Sequence, residues 1–181
     1  QLIRPQIDYQ RRATPGMLRE AALLRRQPTN SRLRRRFLEK VGLDVEQFMG
    51  VAYAIYSEVT HGTDAFTDDW FDFLRAQYSA EAVDALVAHL SLDLEGLVGM
   101  FRGLPDANEK VASEYYEATP LRRFPFFRVG PQLLVWHPTV LYRGLEGFVH
   151  SVLSDDGQAY MDEFSRLFER HVTAEARAMA G

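Results

Sequence analysis

Glu58-Val59-Thr60-His61 sets a carboxylate and an imidazole at the Glu-x-x-His spacing, which brings both groups to one helix face. Di-iron bundles use that motif twice, with two further inward glutamates, to hold their metal. Here it occurs once, and His61 stands at a helix end beside Gly62, so a capping or solvent-facing histidine is the stronger reading. Glu146 and His150 are four apart, the wrong spacing for the motif, and read as a surface side-chain pair. Asp68, Asp69 and Asp72 cluster around Trp70, where acids in a first helical turn complement the dipole without any cation. These residues assign no metal. A self-contained enzyme built on Glu58 and His61 would be removed by elemental analysis that finds no transition metal in the purified protein.

Nucleophilic and cofactor chemistry find little to build on. The chain has no cysteine, which excludes disulfides, thiolate metal sites and cysteine nucleophiles. It lacks a Gly-x-Ser-x-Gly elbow, a Walker A loop and a Gly-x-Gly-x-x-Gly turn after a strand, so no cofactor is implied. Gly96, Gly99 and Gly103 fall in a helix-like segment, where they permit close helix packing.

Charge is distributed unevenly. Residues 1–40 hold eleven of the 21 basic residues and three acids, against a net −4 for the whole chain. Arg25, Arg26, Arg32, Arg35 and Arg36 are the candidates for nucleic-acid phosphates, which would give strongly salt-sensitive binding. The favoured reading pairs this region with the acidic remainder of the fold or leaves it solvated. Phe124, Phe126, Phe127 and Trp136 beside Arg122, Arg123 and Arg128 have the composition of a base-stacking surface. Aromatic side chains in a strand-like stretch more often pin it to a core, and Tyr115 and Tyr116 read the same way.

The elements that must carry these residues are mostly helices. Thr14-Pro15 opens one through about Arg26; Ser31 caps the next, which Gly42 ends, with Leu33, Phe37 and Val41 on one face. Asp44 caps a long apolar helix from Val45 to Thr60. Thr67 caps another that carries Trp70, Phe71, Phe73 and Leu74, and Ser79 starts one through about Leu90. Ser91 is expected to open a helix through Leu104, with Leu94, Leu97, Val98 and Phe101 inward after a sharp turn. Pro105-Asp106 begins a further helix to about Ala118. Phe124–Val129 and Gln132–Trp136 flank Gly130-Pro131 and read as a short hairpin. Pro138 opens a helix to about Leu153, Asp155-Asp156-Gly157 turns the chain, and a last helix runs from Gln158 to about Ala176. The expected fold is mainly α, a bundle of about seven to eight helices with one short β-hairpin or extended excursion near 124–136.

The 181 residues suit a single helical domain, with 46% hydrophobic and 25% charged residues, an ordinary globular balance. No apolar run approaches the ~18 residues that cross a membrane, and with no signal-peptide pattern the expected location is cytoplasmic. A start at Gln1 instead of Met reads as a piece of something longer.

The order of parts in residues 119–172 points further. Thr119-Pro120-Leu121 leads to Phe124-Pro125-Phe126-Phe127-Arg128-Val129-Gly130, then Leu133-Leu134-Val135-Trp136-His137-Pro138, and finally Phe164-Ser165-Arg166-Leu167-Phe168-Glu169-Arg170-His171-Val172. This resembles the helical region that precedes the nuclease core in restriction-endonuclease-like (PD-(D/E)XK) bacterial proteins, including predicted phage-defence proteins. Their helix ends in a Phe-Gly-x-x-Phe-Glu-x-Tyr-Val pattern; Ser165 stands at the glycine and His171 at the tyrosine. The resemblance implies that Glu169 contributes to a metal site in a full-length nuclease. The rest of such a site needs an aspartate and a Glu-x-Lys pair, and no Glu-x-Lys occurs in this chain. The reading is a non-catalytic accessory module whose partner is another protein or an adjoining nuclease domain; direct nucleic-acid binding is the alternative. In that module Phe164, Leu167, Phe168 and Val172 form the apolar face of the last helix, which is expected to pack on this domain or on a following one.

Overall fold

The computed structural model describes residues 18–102 and 120–180. Thr14-Pro15, Gly103, the helix expected from Pro105 to Ala118 with its Tyr115 and Tyr116, and Thr119 lie outside the described residues.

The described residues begin with three helices, α1 (Arg19–Arg25), α2 (Arg32–Val41) and α3 (Val45–Thr60). Their boundaries follow from side-chain chemistry. Ser31 Oγ accepts from the Arg34 amide to start α2, and Gly42 closes it in the left-handed region at φ 77°. Asp44 and Gln47 form a reciprocal capping box at the start of α3. Leu33, Phe37 and Val41 are buried on the inner face of α2, as their spacing requires. Arg34, on the same helix, is buried too. It donates to the Arg25 and Gln27 carbonyls and pairs with Asp44 and Glu46, tying the α1–α2 turn to the start of α3.

Next come β1 (Ala65–Thr67), a 3₁₀ turn (Asp68–Phe71), α4 (Asp72–Gln77), α5 (Ala80–His89), β2 (Ser91–Leu92) and α6 (Leu94–Arg102). After a second 3₁₀ turn (Pro120–Arg122) follow β3 (Phe126–Val129), β4 (Gln132–Val135), α7 (Pro138–Glu146), α8 (Phe148–Ser154) and α9 (Gln158–Ala180). The fold is mainly helical, with nine α-helices among the described residues and a small sheet. The expected hairpin is present as β3–β4, but it is the centre of a four-stranded sheet in the order β1-β4-β3-β2. β1 runs antiparallel to β4, pairing Phe66 with Leu133, and β2 runs parallel to β3, pairing Ser91 with Phe126.

Five expectations are corrected. Ser91 does not open a helix: it sits in β2, where the Phe126 amide donates to the Leu90 carbonyl, and Asp93 takes over as the side-chain acceptor, from the Gly96 amide. Leu94, Val98 and Phe101 are exposed, not inward, and only Leu97 and Met100 of α6 pack on a small cluster around Leu121 and Val140. A Cβ at Gly96 would meet only the Leu92 and Asp93 side chains of its own segment and one at Gly99 nothing, so among the described residues neither glycine packs against another helix. Thr67 makes no side-chain cap; it pairs with Gln132 at the end of β1, and the turn after it is 3₁₀. The helix expected from Pro138 to Leu153 is two helices, broken at Gly147.

The main core is shared by helices and sheet. Phe48 and Phe148 stack with centroids 5.0 Å apart, and Phe37 meets Phe48 edge-on at 5.6 Å. Phe66 joins this helical core to the sheet by edge contacts with Trp70 and Phe126 at 4.6 and 5.9 Å.

Candidate functional site

The acids and histidines singled out by spacing have local partners. The His61 Nδ1 lies 2.7 Å from the Ser57 carbonyl, and Glu58 accepts from the Thr63 hydroxyl. Arg75 gathers Asp68, Asp72 and Asp84 within 2.9 Å, so two of the three clustered acids are ion-paired to one guanidinium. That guanidinium holds the Asp68 carboxyl below its ordinary range. Among the described residues no group of three or more metal-capable side chains comes together.

The aromatic stretch is built inward. Phe126 is fully buried, Phe127 and Trp136 lie 4.9 Å apart, and the Trp136 indole donates to the Phe124 carbonyl. Arg123 pairs with Asp155 at 3.2 Å, while Arg128 is exposed on β3.

The five candidate arginines divide. Arg36 makes a two-pronged contact with Asp156, both bonds 2.7 Å. Arg32 stacks over Tyr160 at 4.2 Å and lies 3.7 Å from Glu163, and Arg26 reaches His171 and Glu175 on α9. Arg25 and Arg35 are exposed, with no side-chain ion pair among the described residues. The α2 arginines thus hold the turn before α9 and the first half of α9 against the body of the fold.

Helix α9 runs 23 residues, about 34 Å. Phe164 and Leu167 are buried where it crosses α1, α2 and α8. Phe168 and Val172, expected on the same packed face, are 55% and 47% exposed, and Met179 is 86% exposed. The side of α9 that meets the body rotates away after Leu167, and the apolar stripe continues without cover among the described residues. Glu169 is exposed beside Glu163, Arg166 and Arg170 around a shallow depression.

Glu146 is the largest departure from expectation. It is not a surface partner of His150 but is buried, held by Arg19 at 2.8 Å and Arg143 at 2.6 Å. Two clefts meet beside it, one of about 630 Å³ and one of about 610 Å³, and Glu20 and Arg122 line both. The first is also lined by Lys40, His89, His150 and Ser151; the second by Arg26, Phe168 and Val172. The Glu20 carboxylate accepts from the His150 amide at the start of α8. Burial pushes its pKa up to about 6, opposed by that hydrogen bond and by the Arg122 charge.

Gly144 and Gly147 explain how Arg122 fits. A Cβ at Gly144 would lie 2.5 Å from the Arg122 carbonyl, and one at Gly147 would collide with the Arg122 guanidinium. The guanidinium therefore lies in the notch between α7 and α8, its Nε donating to the Arg143 carbonyl at 3.0 Å. This cleft is not legible in the sequence, since its walls come from six separate segments. The Gly-x-x-Gly spacing at 144 and 147 was the one legible sign of a close approach.

No family model, curated protein or solved structure matches this chain.

Proposed function

We propose that this chain is a non-catalytic accessory module that docks through α9 onto an adjoining nuclease-like domain of a larger bacterial protein. The observation that carries the reading is the exposed apolar stripe of Phe168, Val172 and Met179, continuing the buried Phe164 and Leu167 along one helix. Large apolar side chains grouped on one open helix face are characteristic of docking surfaces. Phe168 and Val172 of the stripe fall in the Phe164–Val172 pattern that resembles the helix before a PD-(D/E)XK core. Glu169 on the same helix is open to a neighbouring domain and so is free to approach a metal held there.

The test is the coding sequence beyond Gly181. An open frame encoding an aspartate and a Glu-x-Lys on strand-like segments supports the module reading. A stop codon at that point overturns it.

A second reading, nucleic-acid binding through the arginine-rich region, draws on Arg25 and Arg35, the two of its five candidates without an ion pair among the described residues. It requires affinity for DNA or RNA that falls steeply with added salt and weakens in the double variant Arg25→Gln, Arg35→Gln. Absence of binding at low salt excludes it.

A further inference from the structure

We propose that the cleft between α1, α5 and the α7–α8 junction binds a small molecule through its phosphate monoester group, with Arg122 as the principal anchor. This inference stands apart from the docking role of α9. Arg122 is half-buried, and its Nε is satisfied by the Arg143 carbonyl. Its two terminal nitrogens have no hydrogen-bond acceptor and no carboxylate within ion-pair distance among the described residues. Other cations nearby are committed: Lys40 to Asp156 at 2.9 Å and to the Val152 carbonyl, and Arg123 to Asp155. A guanidinium whose two terminal nitrogens are unpaired among the described residues, lying against Gly147 where no side chain crowds it, is preorganised for a forked contact to an oxyanion.

The surroundings select the class of anion. His89, His150 and Ser151 line the same cleft and bring further hydrogen-bonding groups to it, an array suited to the several oxygens of a tetrahedral group. Phe148, Pro120 and Val152 give apolar wall for the rest of the molecule, and about 630 Å³ is the size of a small-molecule site. The acids Glu20 and Asp155 on its walls disfavour a polyanionic strand.

Glu20 makes the binding depend on protons. It faces Arg122 from α1, with Arg19 and Glu146 close enough to act on its charge and His150, His89 and Lys40 around the same cleft. On the other side of Glu20, Arg26, Arg143 and His171 line the neighbouring cleft. An ionised Glu20 repels a bound dianion, whereas a protonated one does not. Since burial already lifts Glu20 to about 6, entry of a dianion is accompanied by proton uptake there.

The test is calorimetric titration of the chain with AMP and, separately, with inorganic phosphate at pH 5.5 and pH 8. Expected are saturable binding of AMP, at least a tenfold loss in Arg122→Gln, and no change in Arg128→Gln, a control on the exposed side of β3. Glu20→Gln, which keeps an acceptor for the His150 amide, should bind AMP several-fold more tightly than the parent at pH 8 and equally at pH 5.5. Phosphate binding at the same site, weaker but lost in the same variant, also supports the proposal. No binding of either probe overturns it, as does binding that Arg122→Gln leaves intact or that Arg128→Gln weakens equally. Should Arg122→Gln fail to fold, the Glu20→Gln comparison decides: equal affinity for parent and variant at pH 8 overturns the proposal.

Discussion

At the scale of single residues, two phenylalanines on α9 separate core from surface. Phe164 is 6% exposed and Phe168 55%, although the four-residue spacing alone assigns both to one inward face. Phe164→Ala is expected to destabilise the chain by about 3–5 kcal/mol, as for a buried aromatic. Phe168→Ala is expected to cost less than about 1 kcal/mol. Chemical denaturation of the two variants checks this, and equal losses would place Phe168 in the core. Glu20 supplies a second prediction, this one in pH. Its folded pKa of about 6 lies above the ordinary 4.5, so the folded chain holds that proton more tightly than the unfolded chain. Stability from this group therefore falls as pH rises through that interval and stays lower above it. Glu20→Gln should be more stable than the parent by up to about 2 kcal/mol at pH 8 and equal to it at pH 4, measured by urea unfolding.

At the scale of elements, what the sequence could reveal depended on whether the determinants are local. Caps at Ser31, Asp44 and Ser79, the left-handed stop at Gly42 and the Gly130-Pro131 turn act over four residues, and each is where its residue type demands. β1 and β2 are three and two residues long, too short for any periodicity, and exist because β3 and β4 offer them hydrogen bonds. Ser91 illustrates the conflict: a serine before a helical pattern reads as a cap, but pairing with Phe126 overrides it. The break at Gly147 has a tertiary cause as well, the Arg122 side chain lying across the junction. Gly144→Ala tests that packing. The added methyl improves helix propensity by ~1 kcal/mol but meets the Arg122 backbone, so a net loss of about 1–3 kcal/mol is expected from thermal unfolding. A gain in stability would show that the 3₁₀ turn at Pro120–Arg122 is not seated against α7.

At the scale of the whole molecule, part of the charge asymmetry of the sequence resolves into internal pairing among the described residues. Arg26, Arg32 and Arg36 meet Glu175, Glu163 and Asp156, so α1 and α2 are tied to α9 and the turn before it. Such exposed pairs contribute little stability singly, but they fix where α9 crosses the body. Among the described residues no helix is long and apolar enough to cross a membrane, so the exposed stripe on α9 is not part of a span. The candidate site was the least legible feature, because Glu20, Lys40, His89, Arg122 and His150 are brought together only by the packing of distant elements. The outer half of α9 is proposed above as a docking surface. Hydroxyl-radical footprinting, comparing this chain with the complete gene product, tests it most directly. The account predicts ready oxidation of Phe168, Val172 and Met179 in the chain alone and several-fold protection of all three in the complete product. Equal oxidation in both would contradict it.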